Sequence, residues 1–321
     1  MALAGDPTQK SAPSRVKIRL GDVVFRWTTL SGGLIVLAIV ILSLWQLFAG
    51  SKGAIQAQGL QFFYQNIWDS VKNDYGALPL IYGTFVSSII ALCIGGTTGV
   101  MVSAFLVELA PKWLLKPISF LVDLLAAIPS IIYGLWGLQV LVPWMKAELY
   151  PALGYSLGWT GLFDPSKNQT GQSLMSAGVV LGIMIIPTVA AITREMLMVV
   201  PRHMRDGALA LGANKSEALK GVMIPYASGG ILGGVILGLG RALGETMAVS
   251  MLIGNSATIN ANLLQPSATL SSMIATSFGE ADSNFKEVLI GLGLVLFIVT
   301  FCINMLARYL VNRMRKKSGL I

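Results

Sequence analysis

Six stretches of this chain are each about as long as a hydrocarbon core is thick: residues 27–49, 80–107, 114–142, 172–199, 228–253 and 288–311. A helical apolar run of ~20 residues spans a core of ~30 Å, and a large soluble core has no need of six such segments. Composition agrees: 54% of residues are hydrophobic, only 12% are charged, and the mean hydropathy is +0.71. Soluble domains carry about 25% charged residues. The spans are expected to be helices, because a helix satisfies its own backbone polar groups where no water can. The alternation of a membrane barrel is absent. The expected fold class is therefore an all-α integral membrane protein of six spans.

The first run exceeds the ~7–15 apolar residues of a secretory signal core, and no A-x-A-like cleavage site follows Phe48, so it reads as an uncleaved span. One membrane domain, residues 20–315, lies between an N-terminal tail, 1–19, and a C-terminal tail, 316–321. Disorder is the default expectation for the polar, proline-containing N-terminal tail. Orientation follows from the basic residues. Of the 23 Lys and Arg, 17 fall on the side that holds both tails, 5 fall on the other, and Arg241 lies inside a span. Both termini are thus expected in the cytoplasm. The net charge of +8 has its explanation in topology and in anionic lipid head groups, with no need of nucleic acid. On the outer side, GLQFFYQNIW (59–68) reads as an amphipathic segment along the membrane interface, and residues 254–285, rich in Ser, Thr and Asn, read as a solvated surface.

Few residues here suit enzymatic chemistry. Cys93 and Cys302 both fall within spans and His203 is the single histidine, so neither a disulfide framework nor a metal site is expected. A membrane enzyme would need a nucleophile–base or metal constellation that these residues do not supply.

The most unusual polar stretch is RDGALALGANKSEALKGVMIP, Arg205 to Pro225. It reads as a helix, a break at Gly212 and a second helix capped by Asn214 or Ser216, with Pro225 as a breaker or at a helix start. A short rigid knob of this kind suits mechanical contact with another protein; the plain alternative is a solvated connector. A phosphate-binding G-x-x-x-x-G-K-[ST] loop fails in register, since Ala213 and Asn214 separate Gly212 from Lys215. This chain is therefore expected to bind no nucleotide.

The spacing resembles the EAA loop of membrane subunits of binding-protein-dependent ABC importers. Asp206-Gly207-Ala208, then Gly212, then Val222-Met223-Ile224-Pro225 stand where that family has E-A-A, G and I-x-L-P. The resemblance implies a MetI-like permease fold with a cytoplasmic coupling hairpin, 205–225, docking into a groove on an ATPase subunit. Asp206, Gly207, Ala208, Gly212, Lys215, Glu217 and Pro225 inherit that coupling role from the resemblance.

Polar residues inside the spans form the other informative group. In LGLGRALGETMAV, Arg241 and Glu245 stand four apart, one helix face if the helix is continuous. An arginine at mid-span costs roughly 2.5–3.5 kcal/mol. The pair reads either as a self-satisfied ion pair or as a charged wall of a translocation path. In LVDLLAAIPSIIYGLWG, Asp123 is ionisable with no partner evident from sequence, Ile128-Pro129 interrupts the helix ladder, and Ser130 and Tyr133 stand ready to satisfy freed carbonyls. Pro187 is expected to interrupt span four similarly; packing kinks are the plainer reading of both. Glu108 reads as a marker of the cytoplasmic interface.

Together YGALPLIYGT, AAIPSIIYGLWG, IMIIPTVAAITREML and LGLGRALGETMAV are similar to the phosphate-importer permeases, to the PstC type more than its partner PstA, over residues 20 to 315. That resemblance implies a bacterial inner-membrane protein paired with a second, PstA-like permease. It also implies two ATP-binding subunits that use ATP and Mg, an extracytoplasmic phosphate-binding protein, and no cofactor on this chain. Arg241, Glu245, Asp123, Ser130 and Tyr133 are the candidate path residues. The rival expectations are a permease for phosphonate, molybdate or sulfate, or a secondary carrier working alone.

Overall fold

The computed structural model describes residues 20–69, 72–168 and 170–317. The N-terminal tail read as disordered lies outside them, as do Gln169 and residues 318–321. Two compact units divide the chain at residue 46. The first is helix alone: the described part of residues 1–46 belongs to span one, Gly21–Gly50, apolar on every side.

In the second unit, four further helices are long and apolar enough to cross a membrane: Leu78–Leu109, Leu174–Met198, Lys215–Gly244 and Ser283–Arg313. Trp113–Ala127 and Ser130–Thr160, the region of span three, form a broken pair bent by 95°. Among the described residues the fold is all-α apart from a two-residue ladder joining Trp68–Asp69 to Asp74–Tyr75 and an isolated bridge between Gly254 and Ser267.

Spans two and four pack most intimately, and small residues explain why. A Cβ on Gly95 would lie 2.1 Å from the Gly182 carbonyl oxygen, and one on Gly99 would lie 2.8 Å from Val189 Cβ. Ser103 Oγ donates across the interface to the Ala190 carbonyl at 2.6 Å. Lipid tails are as apolar as side chains, so close backbone approach and interhelical hydrogen bonds do the joining here. Gly95→Leu is accordingly expected to destabilise the bundle by at least the ~1–3 kcal/mol of overpacking, read as a lower unfolding temperature in detergent; an unchanged value would refute this packing.

Three local expectations need correction. The turn at Ile128-Pro129 is a right-angle bend and not a packing kink, whereas Pro187 sits inside the unbroken helix Leu174–Met198. Span five does not run to residue 253. Its helix ends at Gly244, Glu245 is extended (φ −69°, ψ 133°), and a separate helix Met247–Leu252 follows. Ser271 Oγ donates to the freed Glu245 carbonyl at 2.8 Å, which lets the helix stop without leaving that acceptor bare. Of the two roles open to Pro225, breaker or helix start, it takes the second, standing in the first turn of Ile224–Gly244. The chain stays helical across it because a wide π turn, Leu219–Met223, precedes it, with Ile224 N–H donating five residues back to Leu219 O.

The outer segments are also less exposed than their composition suggests. Leu264, Ala268 and Leu270 are fully buried. Leu270 N–H donates to Thr84 Oγ1 at 2.9 Å, and Thr269 and Ser272 form a capping box at the start of Leu270–Ser277. Ser271 and Ser272 thus use their hydroxyls on backbone groups inside the fold. GLQFFYQNIW is only partly interfacial: Phe62 is buried against Gly291, and Trp68 stacks edge-on with Tyr75, 5.0 Å between ring centres. Asn168 is buried too, donating through Nδ2 to the Gln172 carbonyl at 3.0 Å and to the Leu264 carbonyl.

Candidate functional site

Two features dominate the end of the unit that holds residues 199–223: a protruding helical hairpin and, beside it, an open cavity. The hairpin begins with the helix Arg202–Ala210. Gly212 ends it at φ 92°, a left-handed conformation that glycine adopts without a Cβ penalty, and its N–H returns to Leu209 O at 3.0 Å. Asn214, not Ser216, caps the second helix. Its Oδ1 accepts from Glu217 N–H at 2.9 Å while Glu217 Oε2 accepts from Asn214 N–H at 2.8 Å. Lys215–Ala218 then leads through the π turn into span five.

The tip is open. Asp206, Gly207, Lys215 and Glu217 are exposed, Ala208 is half-buried, Leu211 is 92% exposed, and a Cβ on Gly207 or Gly212 would meet nothing within 4 Å. The base is the opposite. Leu197, Leu219 and Met223 are buried together against Val100, Ala104 and Val107 of span two. One ion pair locks this base. Arg205 Nη2 stands 2.8 Å from Glu108 Oε1, and Arg205 Nε donates to the same oxygen at 3.0 Å. The Glu108 side chain is 1% exposed, so the residue read as an interface marker is instead a buried anchor. Glu108 lies in a π turn, Phe105–Leu109, at the end of span two; such turns often occur where a helix does work.

The cavity, about 860 Å³, opens between span five, span six and Thr188 of span four. Arg241 lines it, together with Asn304, Arg308 and Asn312 of span six. Among the described residues its lining contains no Asp or Glu. Glu245 is not paired with Arg241: the helix ends between them, and among the described residues the ion pairs within 4.0 Å are Arg205–Glu108 and Arg194–Asp123. The self-satisfied ion pair, one of the two readings of the spacing, does not form, and Arg241 lines the cavity without it.

Asp123, Ser130 and Tyr133 are not among the residues that line the cavity, although Tyr133 lies within electrostatic reach of Arg241. Asp123 meets Arg194 at 4.0 Å, a loose contact with the carboxylate 60% exposed. Tyr133 is buried and donates from its hydroxyl to the Leu125 carbonyl at 2.8 Å, bracing the bend at Ile128-Pro129; no hydrogen bond forms at the Ser130 side chain among the described residues. Sequence reading missed Glu108 as an anchor and the residues Thr188, Asn304, Arg308 and Asn312. The recurrence of polar residues at every fourth position in the last apolar run was the available signal for the last three.

Residues 95–316 match the binding-protein-dependent transport system inner membrane component. The chain belongs to this family. Members are membrane components of transporters, so this permease is an integral inner-membrane transport subunit and not an enzyme with its own catalytic site; the family implies ATP-binding and substrate-binding partner proteins. The permease is 40% identical over 317 residues to the phosphate transport system permease protein PstC of Xylella fastidiosa (strain 9a5c), covering 98% of both chains. PstC of Haemophilus influenzae is 40% identical over 301 residues, covering 93% of this chain and 95% of that one. A probable PstC of Methanocaldococcus jannaschii is 36% identical over 298 residues, covering 91% and 94%. Among solved structures, an inward-facing form of the MetNI methionine ABC transporter shares the fold at 19% identity and a TM-score of 0.50, over 74% of this permease and 94% of that chain.

Proposed function

We infer that this permease moves inorganic phosphate, received from an extracytoplasmic binding protein, across the inner membrane with energy from ATP hydrolysed on separate subunits. The observation that carries the reading is the cavity: Arg241 and Arg308 line it with no carboxylate among its described walls. A cation in a poorly polarisable surrounding attracts an oxyanion strongly, while the absence of a dense basic cluster keeps binding weak enough for release. Near full-length similarity to PstC proteins selects phosphate from the oxyanions that this chemistry admits.

The bias of basic residues supports a cytoplasmic side for both termini and the hairpin. A second, PstA-like permease completes the membrane part. Two ATP-binding subunits, using ATP and Mg, receive the exposed tips around Asp206 and Gly212. The hairpin is continuous with span five through Pro225, so a displacement of its base moves the helix that carries Arg241. This is the link between hydrolysis and passage. Tyr133 holds the bend of span three through its hydrogen bond to the Leu125 carbonyl.

The test is direct. A tagged chain purified from its own membrane is expected to bring a related permease and an ATP-binding subunit with it. Labelled phosphate uptake is expected to be displaced by unlabelled phosphate and not by equal sulfate, molybdate or methylphosphonate. Purification alone with undiminished uptake would favour a stand-alone carrier, and displacement by another oxyanion would reassign the substrate.

A further inference from the structure

Span six carries three polar side chains where a membrane helix ordinarily has apolar ones. Asn304, Arg308 and Asn312 recur at intervals of four and fall on one face of the helix Ser283–Lys317. All three line the cavity that Arg241 also lines. Charged residues within spans face a bundle interior or a water-filled space, because lipid gives them nothing to bind. Here the stripe faces the space, so its charge lies where a solute can reach it.

Span five makes room for these side chains. Across the cavity stand Gly233 and Gly240; a Cβ on Gly233 would meet nothing within 4 Å, and one on Gly240 would lie 3.8 Å from Asn304 Oδ1. Glycines on a helix face usually let two helices close on one another. In this cavity they leave volume for the long side chains opposite. Asn304 Nδ2 donates to the Thr300 carbonyl at 2.9 Å, which holds that amide in place level with Gly240 and Arg241. Eight residues at ~1.5 Å rise put Asn312 about 12 Å farther along the helix than Asn304, toward its C-terminal end. Neither arginine has a carboxylate within 4.0 Å among the described residues.

We propose that Asn304, Arg308 and Asn312 form a release track for the oxyanion on the hairpin side of the permease. Arg241 holds the anion at the inner end, Arg308 draws it onward, and Asn312 passes it to water. Two weak stations in series release an ion faster than one strong one, since each holds it loosely enough to leave. The inference rests on the reading of this chain as an oxyanion permease whose hairpin faces the cytoplasm. The same guanidinium chemistry would also hold the phosphate of a lipid head group, and the experiment separates the two sources.

The whole transporter, with its partner subunits, is reconstituted in vesicles with and without phosphatidylglycerol, and inorganic phosphate moved per ATP hydrolysed is measured. Arg308→Gln is expected to lower that ratio at least tenfold, Asn304→Leu at least threefold, and Arg308→Lys less than threefold, in both lipid mixtures and with unchanged subunit stoichiometry. A parental ratio in Arg308→Gln overturns the track. So does a loss confined to vesicles that contain phosphatidylglycerol, which would make Arg308 a lipid anchor. So does a loss accompanied by missing subunits that Arg308→Lys fails to restore, which would make the residue structural. Should the parent move sulfate and not phosphate, the substrate assignment falls while the Arg308 ratios, read with sulfate, still decide the track.

Discussion

Arg205→Met is expected to uncouple the transporter and to destabilise it by about 3 kcal/mol. The substitution removes the partner of a carboxylate that is 1% exposed while keeping most of the side chain's apolar bulk. Breaking a buried ion pair from one side costs about 3–5 kcal/mol, because the remaining charge keeps its desolvation penalty. The lower end applies here, since the Arg205 side chain is 36% exposed and its share of the pair is partly screened. The reverse change, Glu108→Gln, is expected to cost less, because the stranded guanidinium can turn toward water. The double substitution Glu108→Gln/Arg205→Met leaves no buried charge and is expected to recover most of the stability. Binding-protein-stimulated ATP hydrolysis is not expected to recover with it, because the hairpin is no longer pinned to the end of span two. Thermal unfolding of the solubilised complex and stimulated hydrolysis, measured side by side, test this. Parental coupling in Arg205→Met would show that the pair transmits nothing.

Arg241→Gln is expected to reduce phosphate uptake at least a hundredfold with the complex still assembled. The side chain lines the cavity with no anionic partner among the described residues, so its loss removes attraction for the solute without stranding an opposite charge. Two unit charges ~4 Å apart interact by about 4 kcal/mol at an effective dielectric of ~20. Even two-thirds of that is a hundredfold in rate, since ~1.4 kcal/mol is a factor of ten. The exchange Arg241→Glu/Glu245→Arg adds a sharper test. A helix-face ion pair would tolerate it, whereas the break after Gly244 predicts that uptake stays lost. Restored uptake in the exchanged protein would reinstate the pair and refute the charged-wall reading.

Much of the hairpin was legible because its chemistry is local. Gly212 must turn the chain whatever surrounds it, and Asn214 and Glu217 cap one another within a single helical turn. Pro225 left two roles open because a missing N–H ends a helix or is tolerated in its first turn, and the π turn upstream decided for the second. Arg241 was visible as a charge in an apolar run. Its relation to Glu245 was not, because four-residue spacing brings two side chains together only on an unbroken helix, and Ser271 provides the outside partner that lets this one end. Residues 254–285 misled for a related reason. Polar side chains look solvent-facing in sequence, yet Ser271 and Ser272 are buried, Ser271 Oγ donating to the Glu245 carbonyl and Ser272 Oγ accepting from Thr269 N–H.

The sequence by itself determined that this chain crosses a membrane as helices, where most of those helices lie, and that a capped hairpin interrupts them. Those outcomes follow from transfer free energies and backbone preferences that each short segment carries alone. Only the tertiary structure decided that Glu108 would meet Arg205 from 97 residues away, that span three would bend by 95°, and that Asn304, Arg308 and Asn312 would share a cavity with Arg241. Each of those depends on which distant group supplies a hydrogen bond, a countercharge or an empty volume. A hydropathy profile measures what a residue loses on leaving water and is silent about the partner that compensates it.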